Sequence, residues 1–119
     1  MKNDVAIVNY QSLSPKEYSD LTMLQVLQEL NDIDDDPSLA IKMELRTQDL
    51  TNKSRLALAF TGVTSLKLDQ NGFAVIRFPF IEIRSIRENR WEGKYYSVKD
   101  EEHELISFYC ESFVANLID

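Results

Sequence analysis

From Leu39 onward, the apolar residues of this chain recur at every second position instead of every third or fourth. The alternation is clear at 39–45 and returns at 56–60 after a polar stretch. A period of two is typical of a β-strand with one buried face. Further apolar runs of strand type follow at 66–68, 73–86, 91–99 and 105–114. The pattern therefore predicts a chain in which antiparallel strands dominate.

The N-terminal third carries the pattern of a helix. Ser14-Pro15-Lys16-Glu17 has the form of a capping box with proline at the first helical position. These signals predict a helix from about Pro15 to Leu30, after a short first strand at Val5 to Asn9. The apolar residues at helical spacing form its expected buried stripe: Met23, Val26, Leu27 and Leu30. The predicted fold is α+β, with one N-terminal helix packed on a mostly antiparallel sheet of about six to seven strands, in a single domain spanning 1–119.

Two hairpins are predicted from turn residues and side-chain parity. At Asn71-Gly72, a three-residue loop places the apolar residues of both strands on one face, with Leu68 opposite Ala74. Near the C-terminus, a five-residue charged loop pairs Lys99 with Leu105. Gly62 is expected to allow a bend, and Pro79 to divide the apolar run at 73–86 because it cannot donate to a ladder.

The net charge of the chain favours some classes of binding partner and disfavours others. Its 119 residues carry a net charge of −7, with an isoelectric point of about 4.7. Nucleic acid and anionic membrane surfaces are disfavoured, because both are bound through Lys and Arg. A basic protein partner is favoured instead. One cysteine excludes an internal disulfide, and the apolar run at 5–8 is shorter than a secretory signal, so a cytoplasmic protein is expected.

The sequence gives little support for a catalytic function. His103 and Cys110 are the only residues of their types, and seven residues of extended strand would place them about 23 Å apart on opposite faces. Cys110 is interpreted as a buried structural thiol. Glu82 lies in an apolar run, where a carboxylate that faces solvent, or that pairs with Arg84 or a neighbouring basic residue, is a simpler interpretation than acid–base catalysis. No catalytic residue, metal site or cofactor is predicted, and the protein is not expected to be an enzyme.

The spacing of the charged residues does not favour a metal site or an anion site. The acidic residues at 32–36 do not fit a calcium loop, since starting at Asp32 the glycine and glutamate positions hold Pro37 and Met43. The basic residues between 77 and 94 alternate with glutamates, which predicts ion pairs across strands, with a small anionic ligand as the alternative.

Acidic loops and one aromatic residue are the candidate contacts with a partner. They comprise Asp34, Asp35, Asp36, Trp91, Asp100, Glu101 and Glu102. The expected C-terminal hairpin also has a second aromatic face, formed by Trp91, Tyr95, Tyr109 and Phe113. That face is either covered by the helix or left open as an interface, and exposure of Trp91 would favour a protein contact.

Several segments resemble a known family. They are Phe60-Thr61-Gly62-Val63, Arg90-Trp91-Glu92-Gly93, Tyr96-Ser97-Val98-Lys99-Asp100 and Ile106-Ser107-Phe108-Tyr109-Cys110. Together they resemble small β-rich bacterial immunity proteins of polymorphic toxin systems, over roughly the second half of the chain. The resemblance implies a non-catalytic protein that binds and neutralises a cognate toxin, and it carries over no contact residue.

Two other functions remain open on the sequence alone. One is a small-ligand-binding β-rich domain with an enclosed apolar pocket. The other is an unrecognised enzyme. Exposed strand edges would also permit a homo-oligomer, although nothing in the sequence requires one.

Overall fold

The computed structural model describes residues 4–29, 38–49, 51–68, 81–89, 94–100 and 105–118. These residues form one α-helix and seven antiparallel strands, which confirms the predicted α+β fold. The helix, α1, spans Val5–Ser12. The strands are β1 (Tyr18–Glu29), β2 (Ser38–Thr47), β3 (Arg55–Leu68), β4 (Ile81–Ser85), β5 (Tyr96–Asp100), β6 (Ile106–Cys110) and β7 (Ser112–Ile118). Single 3₁₀ turns lie at Pro15–Glu17 and Arg87–Asn89.

The helix lies ten residues before its predicted position, and the short strand predicted at 5–9 is part of it. Asp4 is the N-cap, and its Oδ1 accepts hydrogen bonds from the backbone N–H groups of Ala6 and Ile7. Ser14 does not cap a helix. It adopts a left-handed conformation, with φ of 55°, and makes no side-chain capping bond. The predicted capping box thus yields only one 3₁₀ turn after α1.

The segment predicted to be a helix is the edge strand β1. It pairs with β2 from Tyr18 to Glu29, with irregularities in register near its start. Two members of the predicted buried stripe, Val26 and Leu27, are more than 40% exposed. Pairing with β2 therefore outweighs the helical spacing, because β1 covers the edge of β2 and its Leu21 and Leu24 pack against the core.

The alternation in the middle of the chain is confirmed. In β2, the side chains of Ile41, Met43 and Leu45 are almost completely buried. The two runs predicted as separate strands at 56–60 and 66–68 form the single strand β3. It bends at Gly62, as predicted, where φ is +64°.

The bend in β3 divides the sheet into two halves. The strand order is β1-β2-β3-β6-β5-β4, with β7 also pairing with β3. Half-sheet A comprises β1, β2, β7 and residues 55–63 of β3. Half-sheet B comprises residues 64–68 of β3 with β6, β5 and β4.

The register of the C-terminal hairpin differs from the prediction by two residues. Lys99 pairs with Ser107, not with Leu105, and Tyr96 pairs with Cys110. A shift of two keeps the side chains of β5 and β6 on their predicted faces, but it places the large Tyr96 opposite the small Cys110. It also brings the Asp100 carboxylate to the backbone N–H of Ile106, at 2.9 Å.

The strand predicted at 105–114 is divided at Glu111. In β6 the even-numbered residues are buried, whereas in β7 the buried residues are Phe113 and Ala115. Phe113 therefore lies in the core, so the predicted face of four aromatic residues does not form as one surface. Tyr95 and Tyr109 are half-buried.

The core lies between the two half-sheets, and α1 packs at its edge. The Tyr10 ring meets Phe113 edge-on, with 6.3 Å between centroids, and its hydroxyl donates to the carbonyl of Ile81 at 2.5 Å. Asn9 donates to the carbonyl of Ala115 at 3.1 Å. The helix therefore joins β7 of half-sheet A to β4 of half-sheet B.

Several predictions fall outside the described residues. They concern the Asn71-Gly72 hairpin, the break at Pro79, and the side chains of Trp91 and His103.

Candidate partner-binding surfaces

Of the seven predicted contact residues, the structure describes only Asp100. The acidic residues at 34–36 and 101–102, and Trp91, lie outside the described residues. Asp100 ends β5, and it is the one charged residue among the fully buried side chains of the described segments. Its Oδ1 accepts the hydrogen bond from the Ile106 N–H that closes the hairpin. The carboxylate therefore faces the fold and not the solvent.

The acidic charge of the chain is unevenly distributed along the sequence. The described residues contain ten Asp or Glu and ten Lys or Arg, so their formal charges cancel. The remaining ten acidic and three basic residues account for the net charge of −7 (3 − 10 = −7). The strands and α1 thus form a neutral scaffold, and the excess of acid belongs to the segments between and beyond them.

The outer face of half-sheet B, opposite the core, is basic and rich in hydroxyl groups. Lys67 of β3 and Lys99 of β5 both pair with Ser107 of β6, so the three side chains form one row. Ser97 and Tyr109 pair in the next row. A groove of about 400 Å³ runs along this surface, which we call the lysine face; the side chains that define it are Ser65, Lys67, Ser97, Lys99, Ser107 and Tyr109.

Other charged residues border the lysine face. The Lys94 ammonium lies over the Tyr109 ring, 5.3 Å from its centroid. Glu82 is the cross-strand neighbour of Lys99, but it forms an ion pair with Arg84, as the sequence predicted. Glu111 lies at the bend that ends β6. Positive charge is therefore in excess on this side of the described structure.

The outer face of half-sheet A is different in chemistry. Ala57 and Ala59 on β3 form the floor of a shallow groove of about 170 Å³. Its rim includes Met23, Val114 and Ile118, and Val114 is 58% exposed. The polar groups on this face include Lys42, Asn116 and the ion pair between Arg55 and Glu44, whose charged atoms lie 2.7 Å apart.

A cluster of polar groups ties the N-terminus to half-sheet B. The Tyr96 hydroxyl donates to Asp4 Oδ2 at 2.8 Å, and Arg87 donates to the Tyr96 hydroxyl at 3.2 Å. The Arg87 guanidinium also lies 4.8 Å from the centroid of the Tyr95 ring. Burial raises the pKa of Tyr96, and its hydrogen bond to Arg87 raises the pKa of that arginine. Because each group engages another within the fold, the cluster is structural.

Cys110 is buried in the core, which confirms its interpretation as a structural thiol. Loss of solvent raises its pKa to about 12, so the thiol stays protonated and is a poor nucleophile at neutral pH. Within the described segments, no group of three or more His, Cys, Asp or Glu side chains is arranged to hold a metal ion. No helix among those segments is long and apolar enough to cross a membrane.

The comparison with protein families gives one match. A family model described as Immunity protein PIM8 matches residues 3–116 of the chain. The matched region includes the N-terminal half, which the resemblance found in the sequence did not cover. Comparisons with curated proteins and with solved structures give no match.

Proposed function

Because the chain belongs to the immunity protein family PIM8, we propose that it binds a cognate toxin and neutralises it by occupying the toxin's surface, without catalysing a reaction. The family match over residues 3–116 is the observation that carries the proposal. The setting we propose is the cytoplasm of the bacterial cell that produces both proteins.

The described structure is suited to inhibition by binding. Its core is closed by aromatic contacts such as Phe60 against Phe108, with 4.9 Å between ring centroids. Its single thiol is buried and protonated at neutral pH. A rigid scaffold of this kind holds its surface in one arrangement before the partner arrives, which lowers the entropic cost of association.

The proposed toxin is basic, because the excess acid of this chain is concentrated outside the scaffold. The segments 32–36 and 100–104 contain eight acidic residues, of which only Asp100 is described, and that one is buried. Negatively charged segments of this kind speed the approach of a positively charged partner and favour its correct orientation. Nucleic acid and membrane surfaces are not proposed as partners, for the same electrostatic reason. Self-association is not needed for this mode of action.

Co-expression in bacteria tests the proposal directly. A candidate toxin domain, identified among the genes adjacent to this one, is induced alone, with this chain, or with an unrelated acidic protein of similar size. We expect growth to be restored only by this chain. If the chain accumulates in folded form and growth still stops, the proposal is wrong. If the unrelated protein restores growth equally well, charge alone explains the protection and specific immunity is refuted.

A further inference from the structure

We propose that the lysine face of half-sheet B binds an acidic segment on the surface of the toxin. This inference rests on the proposed function, and it identifies the side of the scaffold that contacts the partner. At this contact the positive charge lies on the chain and the negative charge on the toxin, whereas the acidic segments of the chain attract positive charge on the toxin.

The positive charges of the lysine face are spaced by the strand pairing. Because Lys67 and Lys99 flank Ser107 on adjacent strands, their α-carbons lie about 10 Å apart across the sheet. Because both lysines pair with Ser107, the backbone pairing sets this spacing. Carboxylates that share one face of an extended partner segment lie about 6.7 Å apart at i, i+2 and about 13 Å apart at i, i+4, and the long lysine side chains can reach either arrangement.

The two lysines, Lys67 and Lys99, form no ion pair with another described residue of the fold. The nearest acid in the ladder beside Lys99, Glu82, is engaged by Arg84. In contrast, Arg55 and Arg87 each face an acidic side chain of the fold.

Serine hydroxyl groups lie beside the two lysines on this face. Ser97 and Ser107 lie at the centre of the face, and both are half-buried in the groove. Within the described structure, neither hydroxyl has a hydrogen-bond partner. Ammonium groups flanking hydroxyl groups form a surface that complements carboxylates, which accept hydrogen bonds and carry negative charge.

A protein segment is a better occupant than a nucleic acid. A nucleic acid would bring a long run of phosphates against a chain whose total charge is −7. A folded partner can instead place a few carboxylates on the lysine face while its basic regions meet the acidic loops. Such paired patches of opposite sign fix the orientation of a complex.

Charge reversal of the two lysines tests the inference. Lys67→Glu/Lys99→Glu is compared with Arg46→Glu/Lys53→Glu, which makes the same change in net charge at exposed residues of half-sheet A and the following loop. Affinity for the purified candidate toxin domain is measured by calorimetry at fixed ionic strength. We expect the first variant to bind at least about 100-fold more weakly than wild type, and the control to change by less than about fivefold.

Each other outcome would overturn the inference. Equal weakening in both variants would show a general effect of charge, and unchanged binding in both would exclude the lysine face from the interface. A loss of thermal stability in Lys67→Glu/Lys99→Glu but not in the control would assign the lysines to the fold. Binding of a fluorescent 20-nucleotide RNA that only Lys67→Glu/Lys99→Glu abolishes, with toxin binding intact, would assign the face to nucleic acid. Failure of the wild-type chain to bind the toxin at all is a different result, because it refutes the proposed function itself.

Discussion

The backbone of Gly62 lies directly against the side chain of Glu111. A β-carbon placed on Gly62 would lie 2.7 Å from the Glu111 β-carbon, closer than such atoms approach in folded proteins. The Glu111 N–H donates to the carbonyl of Thr61 at 3.0 Å, which holds the two strands together at this point. The buried residues change from even-numbered to odd-numbered positions on both sides of this contact. In β3 the change falls between Phe60 and Val63, and from β6 to β7 it falls between Cys110 and Phe113. This matched irregularity allows one sheet to fold over its own core.

Replacing Gly62 is therefore expected to destabilise the protein. Gly62→Ala adds a close contact and forces a residue with a β-carbon into a left-handed conformation. We expect a loss of about 1–3 kcal/mol in the free energy of unfolding, measured by urea denaturation. Ser65→Gly is the control, because Ser65 already has a φ of 56° and glycine adopts that angle without strain. A Gly62→Ala variant as stable as wild type would contradict this account of the bend.

The buried Asp100 carboxylate is expected to stabilise the C-terminal hairpin. Asp100→Ala leaves the buried N–H of Ile106 without its acceptor, at a cost of about 1–3 kcal/mol in the free energy of unfolding. Asp100→Asn keeps an oxygen acceptor and should cost less. Hydrogen exchange at the Ile106 amide provides a local measurement, with faster exchange expected in the alanine variant. Unchanged exchange in Asp100→Ala would show that this bond does not hold the hairpin.

The contrast between α1 and the strands shows how far the sequence predicts this fold. The period of two predicted β2 and the buried part of β3 because burial of one face is a local property of each strand. The helix was misplaced because Pro15 and Glu17 carry start signals that lead only into a single turn, while Asp4 caps the true helix. Pairing of β1 with β2 is a contact between distant residues, and spacing within one segment does not reveal it.

For the candidate surfaces too, the sequence predicted features local to one strand and missed those that depend on pairing between strands. The parity of β5 and β6 placed Tyr96, Val98 and Cys110 on one face correctly, even though the register was shifted by two. The row formed by Lys67, Ser107 and Lys99 was missed, because it joins three strands and depends on that register. Asp100 was assigned to a loop contact since acids near a charged loop are usually exposed, and its capture of the Ile106 N–H gives no signal in sequence.

Burial of Cys110 predicts a dependence of stability on alkaline pH. The pKa of this thiol is raised to about 12 in the folded protein, so the folded state keeps the proton after the unfolded chain has lost it. The contribution to stability is complete below the unfolded pKa of about 8.5 and declines as pH rises towards 12, by at most about 1.4 kcal/mol per pH unit. Cys110→Ala has no thiol to titrate and lacks this contribution. The free energy of unfolding of the wild type, measured by urea denaturation, should therefore fall relative to that of Cys110→Ala as pH rises above about 8.5. A constant difference from pH 7 to pH 11 would refute the assignment.

The acidic loops are expected to act on the rate of association. Neutralising three residues in Asp34→Asn/Asp35→Asn/Asp36→Asn should lower the association rate constant with a basic toxin by about tenfold at low salt, and by less at 0.5 M NaCl. Stopped-flow fluorescence at both salt concentrations measures the effect. The dissociation rate should rise by a smaller factor, because the basic regions of the toxin meet these residues in the proposed complex. A salt-independent association rate in the wild type would contradict a basic partner.

Inhibition of the purified toxin by measured amounts of this chain tests the central claim most directly. If the chain neutralises by occupying the toxin, the remaining toxin activity should fall in proportion to the chain added and reach its minimum near equimolar amounts. Complete loss of activity at a small fraction of an equivalent would contradict the account, because only a catalyst that modifies the toxin acts on many copies. Full toxin activity in the presence of a tenfold excess of chain would contradict it as well, because no inhibitory complex would then form.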